Sequence, residues 1–303
     1  MLDRPRRRDA NGTGVGGRMR WLIVATLAVP GLLLHSATAV AGGVDVEIID
    51  GRKAKADITL PNPGGGNYTA EFELEFETEN LQNLTVACIG ISADVLDATE
   101  MADIRSRLPH SATQRVDPAF PIRVTVEPAA GCGLAFEDHY EVSLETDDLV
   151  YAPSSPYRLV KAPIGGLFRY VTGTVTAGSV RARGRAGGFS EFVIIEDTSP
   201  NYASDCLAEY DAIEARLANT AISLTARHAL QTDLAVSRAA YVAGNFDEAI
   251  AHLANFDAHC ASYGGEALPN VWRSARDLDN IEGDLVGRAD SLRFMMGRLN
   301  GSP

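Results

Sequence analysis

Along most of the chain the apolar residues fall into one of two rhythms, and the change from one to the other lies near residue 200. From Val44 to about Asp197 the period is two. "NYTAEFELEFETE" alternates strictly, with Tyr68, Ala70, Phe72, Leu74 and Phe76 on one face and glutamates on the other. Alternation places one side of a strand against a core and the other in water. "LTVACIGISADV", "PIRVTVEP", "HYEVSLET", "LFRYVTGTVTAGSVRAR" and "FSEFVIIED" read as further strands, punctuated by turn formers in "LPNPGGGN", "APSSP" and "RAGG". Only "DATEMADIRSRL" suggests a short helix in this half. Regularly spaced strands without long intervening helices predict an antiparallel β-sandwich over residues 42–200.

From about Asn201 the spacing becomes three-to-four. Cys206, Tyr210, Ile213 and Leu217 make one stripe; Leu230, Leu234 and Tyr241 a second; Phe246, Ile250, Leu253 and Phe256 a third. Leu278, Ile281, Leu285, Leu292, Met296 and Leu299 make the last. Such stripes predict a small four-helix bundle over residues 201–303. The fold class is therefore α+β in two domains, a sandwich followed by a helical bundle, joined at "EDTSPNYASD". Within the bundle, "AAYVAGNFDEAIAHLANF" specifies a helical hairpin. Gly244 supplies a left-handed turn residue, and Asn245 with Glu248 three positions on has the spacing of a capping box. A tetratricopeptide array would need further copies at a 34-residue period, and "YGGEALPNVWRSARDLDN" breaks any repeat after one hairpin.

These residues carry a resemblance. "LQTDLAVSRAAYVAGNFDEAIAHLANFDAHC" resembles the FIMAH helical module of secreted bacterial proteins, with its alanine-rich helix, Gly-Asn turn and Leu-x-x-Phe second helix. With "VWRSARDLDNIEGDLVGRADSLRF" following, the whole chain is similar to uncharacterised exported proteobacterial proteins. The resemblance implies an accessory or interaction role and transfers no catalytic residue.

The N-terminus changes the picture of where the chain works. Six arginines precede the 14-residue apolar run "WLIVATLAVPGLLL", and "HSATAVAG" then offers small-residue cleavage sites ending at Ala39 or Ala41. That order is a secretory signal peptide over residues 1–41, and the run is too short to span a membrane. A secreted or periplasmic protein is expected, with no transmembrane segment in the mature chain. Loss of six Arg and two Asp takes the net charge from −13 to −17. Such a charge repels nucleic-acid backbones, so no nucleic-acid partner is expected. Four cysteines in an exported chain favour disulfides, and the domain split selects Cys88–Cys132 and Cys206–Cys260.

Candidate chemistry is sparse. Glu71, Glu73 and Glu75, continued by Glu77 and Glu79, form a ladder on one strand face. Alternate carboxylates ~6.6 Å apart converge poorly on one calcium ion. Arg181, Arg183 and Arg185 alternate too and could face that ladder across neighbouring strands. Tyr151, Tyr157 and Tyr170, with Phe168 and Arg158 or Lys161 nearby, could form a sandwich rim that stacks on sugar rings, although core packing accounts for such aromatics more simply. The histidines show no metal spacing, and no nucleophile motif or phosphate loop is present, so no catalytic residue, metal or cofactor is assigned. The reading that follows is a secreted, non-enzymatic binding or structural protein whose partner is an envelope or extracellular protein or a glycan. The alternatives are an extracellular carboxylate-dependent hydrolase and a calcium-dependent adhesin.

Overall fold

Alternation in the first half becomes two antiparallel sheets in the computed structural model, which describes residues 43–152, 155–176 and 179–301. The expected signal peptide lies outside the described residues. The elements run β1 (Gly43–Ile49), β2 (Lys53–Pro61), β3 (Asn67–Phe76), α1 (Val86–Ile89), β4 (Ile91–Val95), α2 (Ala98–Arg107), β5 (Gln114–Val116), β6 (Ile122–Val126), β7 (Ala135–Glu137) and β8 (Tyr140–Thr146). They continue with β9 (Tyr157–Ala162), β10 (Arg169–Tyr170), β11 (Thr174–Thr176), β12 (Val180–Ala186) and β13 (Glu191–Asp197). The C-terminal part holds α3 (Tyr202–Leu217), α4 (Leu224–Val242), α5 (Phe246–Tyr263), β14 (Val271–Arg273) and α6 (Ile281–Leu299).

One sheet has the order β1-β2-β3-β8-β12-β11 and the other β10-β9-β13-β6-β4, with β5 also on β13. Their inner faces share one core, where Phe72 of β3 meets Phe192 of β13 at a ring separation of 5.4 Å. β13 is buried along almost its whole length, because α2 covers the outer face of its sheet through Ile104 and Leu108 against Val193 and Ile195. That explains its unbroken "FVII" run, since a strand covered on both sides has no reason to alternate. Asp97 caps α2 through a complete capping box with Glu100. The strand expected over Leu84–Ile89 is instead the single turn α1, which ends at Gly90 (φ +64°). A side chain there would run into the Glu127 carbonyl, so the chain can turn into β4 only with glycine.

Most of the bundle's stripes pack as expected, with Cys206, Tyr210, Ile213, Leu217, Leu230, Leu253, Phe256, Leu285, Leu292 and Met296 buried in one cluster. Leu278, however, precedes α6 and is exposed, so the last stripe starts at Ile281. Gly244 adopts φ +80° and ends α4, but Asn245 makes no side-chain bond to the backbone of α5. Its amide donates to the Glu248 carboxylate at 3.2 Å, so the expected capping box does not form.

The disulfide Cys88–Cys132 is present and ties α1 to the β6–β7 loop, a sequence separation of 44. Closing such a loop restricts the unfolded chain by about 4 kcal/mol. The second expected disulfide is not: Cys206 and Cys260 are free, buried thiols. Cys206 sits at the hairpin end of the bundle, where Tyr241 donates to the Ala203 carbonyl at 2.9 Å. Cys260 lies at the far end of α5, fourteen residues from Phe246 and near Glu282. Fourteen helical residues span roughly 21 Å, against the ~7 Å a disulfide tolerates.

All described residues belong to a single compact unit, in which bundle and sandwich are in direct backbone contact. Gly283 and Gly287, one turn apart on α6, rest on β12 and the turn after it. A Cβ on Gly287 would stand 2.4 Å from the Arg185 carbonyl oxygen, and one on Gly283 2.5 Å from the Gly187 Cα. The segment between α5 and α6, which carries no helical pattern, returns to the sandwich. β14 pairs with β7, and Asn270 and Asn280 both bond Asp138. Trp272 stacks on Phe136 at 5.5 Å.

Candidate functional site

The seam between sheet and bundle gathers the charged residues that the sequence leaves scattered. β9 reads "YRLVKA", and both of its cations are buried although its neighbours are apolar. Arg158 lies between the rings of Tyr202 and Phe294 at 5.2 and 5.0 Å, and donates to the carbonyls of Ser155 and Tyr157. Burial and the nearby Arg298 pull its pKa down to about 10. Tyr170 accepts a bond from Gln114 and donates to Asp205 at 3.4 Å; burial raises its pKa well above the usual phenol range. Tyr157 donates to Asp117 at 2.9 Å, with burial and that bond pushing its pKa up to about 12. Tyr151 packs against the sandwich core. The rim of exposed aromatics is therefore not formed. These side chains are bonded into the fold, because Arg158 and Tyr170 lie where α3 and α6 dock.

The glutamate ladder is also spoken for. β8 lies between β3 and β12, so Glu71 stands opposite Glu145, and Glu75 opposite Glu141. The like charges are compensated from the flanks. Lys53 reaches Glu75 at 3.0 Å and Glu73 at 3.4 Å, and Lys55 reaches Glu71 at 3.0 Å. Arg181 pairs with Glu145, and Arg183 with Glu141 at 3.7 Å. Arg185 turns instead to Asp257 and Asp290 of the bundle. The arginines thus meet β8 glutamates rather than those of β3. Among the described residues no group of three or more His, Cys, Asp or Glu side chains could hold a metal ion.

Below the docking contact lies an open cleft of about 680 Å³. One wall is the turn after β12 with Phe189 and Ser190; another is Trp272; the third is α6 with Asp284 and Arg288, joined by Arg216 of α3. The loop Pro163–Phe168 forms a lip. That lip is held in place: Glu191 accepts from the Gly165 amide at 2.8 Å and from Arg107 at 3.1 Å, while Arg107 covers the Phe168 ring at 4.7 Å.

Its polar wall is a chain of ion pairs. Arg169 donates to Asp284 at 2.6 Å, and Arg288 bridges Asp284 at 3.2 Å and Glu209 at 3.0 Å. Arg216 grips Asp279 through both terminal nitrogens, at 2.8 and 2.6 Å. Burial alone would raise the Asp284 carboxyl, but Arg169, Arg288 and Arg216 outweigh it and hold the group well below the usual range. Glu209 moves the other way, because burial exceeds the pull of Arg288. Lys161 completes the floor. It is 6% exposed, donates to the Gly188 carbonyl and stands 5.8 Å from the Phe192 ring. Burial, then Arg169, hold its amine well below the usual lysine range.

Two Asp–His pairs, His110–Asp205 and His259–Asp233, both at 2.5 Å, lie elsewhere. Among the described residues neither imidazole bonds a serine, threonine or cysteine side chain, so neither is set to activate a nucleophile.

Arg169, Asp284, Arg288 and Trp272 carry no local motif and come together only through long-range packing. A charged residue inside the apolar strand "RLVKAP" is the one signal in the sequence that pointed here.

No curated protein matches the sequence. Among solved structures, the CBM51-2 and INT domains from Clostridium perfringens ZmpB are similar at 9% identity and a TM-score of 0.17. That match covers 73% of this chain and 55% of that one, and it carries no argument. A family model described as a family of unknown function, DUF6689, matches residues 29–300, and the chain belongs to that family.

Proposed function

We propose that this is an exported, non-enzymatic binding protein that holds a small ligand in the cleft at the seam. The observation that carries the reading is an open cleft with a buried, charged floor and an aromatic wall, built from parts that are locked together. Binding sites of this size combine an apolar lining with a few converging polar groups. The arginine-rich leader followed by an apolar run, and the Cys88–Cys132 disulfide, support export. The likeness of the α4–α5 hairpin to the FIMAH module supports an accessory role beside other extracellular proteins. Hydrolysis by a carboxyl pair fits less well, since Arg169, Arg288 and Arg216 hold the Asp284 carboxyl on the cleft wall well below the usual carboxylate range despite its burial. A general acid needs a carboxyl that keeps its proton near the working pH.

A thermal-shift screen of the mature protein tests this, run beside Gly188→Leu, which fills the cleft; the Cβ alone would lie 3.3 Å from the Trp272 ring. A ligand that binds the folded state raises the melting temperature. The expected result is a compound that stabilises the native chain and leaves the variant unmoved. Equal stabilisation of both, or a panel without a hit at millimolar concentration, overturns it.

A further inference from the structure

The cleft's charge balance says more about its occupant. Arg169, Arg216 and Arg288 each have a carboxylate within ion-pair distance, supplied by Asp284, Asp279 and Glu209. Lys161 has none among the described residues; it donates to the neutral Gly188 carbonyl, with the Phe192 ring 5.8 Å away. The three arginines are thus matched by three carboxylates, and the buried Lys161 amine alone lacks one. A buried ammonium without a counter-ion costs several kcal/mol, so burial disfavours the protonated amine, and the site lacks the one carboxylate that would let Lys161 carry its proton. At the mouth the chemistry reverses. Leu167 is 77% exposed and Leu278 43% exposed, and Trp272 and Phe189 line the wall between mouth and floor. Leu167 on the pinned lip and Leu278 on the segment before α6 border the opening, and covering them with an apolar ligand body would be favourable.

Resting on the reading of the cleft as a ligand site, we propose that its occupant is a small amphipathic carboxylic acid, with the carboxylate against Lys161 and an aromatic or aliphatic body between Trp272 and the Leu167–Leu278 lip. One carboxylate supplies the partner that lets Lys161 take up and keep a proton. A phosphate dianion would bring more charge than one ammonium balances and would compete for arginine forks already taken by Asp279, Asp284 and Glu209. A neutral sugar would leave Lys161 unpaired. The groups facing the amine are Arg169, Arg288 and Asp284. An arriving carboxylate favours the ammonium form, so binding draws a proton from the buffer and weakens as the pH rises.

Titration calorimetry of the mature protein with 3-phenylpropionate, 3-phenylpropanol, acetate and phosphate tests the proposal, using Lys161→Met and Leu167→Ser as variants. The expected result is binding of 3-phenylpropionate with proton uptake, at least tenfold tighter than each of the other three. Affinity should fall at least tenfold in Lys161→Met and severalfold in Leu167→Ser, which is on the surface and leaves the core intact. If acetate or phosphate binds as tightly, the site holds simple anions and the amphipathic acid is wrong, while the ligand cleft stands. If 3-phenylpropanol binds as tightly, Lys161 is not the counter-charge and the proposal is likewise refuted. If no probe binds, the amphipathic acid is refuted, and the broader screen against Gly188→Leu decides whether the cleft reading goes with it.

Discussion

Replacing Gly287 with alanine would put a methyl group 2.4 Å from the carbonyl oxygen of Arg185. Carbon and oxygen do not approach that closely, and the obstacle is strand backbone rather than the end of a mobile side chain. Either α6 lifts from β12 or the strand is pushed inward against Val171 and Gly173, whose backbone already crowds Gly184. Overpacking of this kind costs about 1–3 kcal/mol, and the rigid neighbour argues for the upper end. Alanine returns up to about 1 kcal/mol by its better helix propensity. The net loss is then about 2 kcal/mol. For a chain of this size 1 kcal/mol moves the melting temperature by about 2–4 °C, so a drop of about 4–8 °C is expected. Circular dichroism at 222 nm would follow the melt, and urea unfolding would give the free energy directly. Gly283→Ala should act in the same direction, because its Cβ meets both the Gly187 Cα and the Asp138 carbonyl at 2.5 Å. A melting temperature that is unchanged or higher in Gly287→Ala would show that α6 does not rest on β12. The locked seam, and with it the fixed cleft, would then be wrong.

Titration with Ellman's reagent should find no reactive thiol in the native protein, two after denaturation without reductant and four with it. Two free thiols in the denatured, unreduced chain distinguish buried Cys206 and Cys260 from a second disulfide. Stability should also depend on Glu282, which is 2% exposed; burial, with Asp138 and Asp257 adding, raises its pKa to about 8. The folded state then holds the proton more tightly than the unfolded chain. Its contribution is full below about pH 4 and is lost as the pH rises towards 8, by at most about 1.4 kcal/mol per unit. Urea unfolding at pH 5, 6.5 and 8 should show this decline in the native chain and a flatter profile in Glu282→Gln; parallel profiles would count against it.

Much of the architecture could be read directly from residue order. Strict alternation in "NYTAEFELEFETE" requires one buried face, and β3 buries Tyr68, Phe72, Leu74 and Phe76 accordingly. The stripe Cys206–Tyr210–Ile213–Leu217 requires a helix with one buried side, and α3 has it. Gly244 ends α4 because a left-handed residue is needed at that turn. These features depend on repeat lengths of two and 3.6 residues, which are local properties of the backbone. Partnership between distant segments is another matter. Whether β8 or β12 lies beside β3 decides which cations meet Glu71 and Glu75, and both strands alternate equally well. Whether the first turn of α3 lies near the start or the end of α5 decides the state of Cys206 and Cys260, and helical periodicity is silent on direction. The return of "VWR" to the sandwich, the burial of Tyr170 and Arg158, and the meeting of Lys161 with Arg169, Asp284 and Arg288 come only from the path of the whole chain. Periodicity is set within a few residues of each position, whereas the cleft draws on side chains more than a hundred residues apart, so only the packed tertiary structure assembles it.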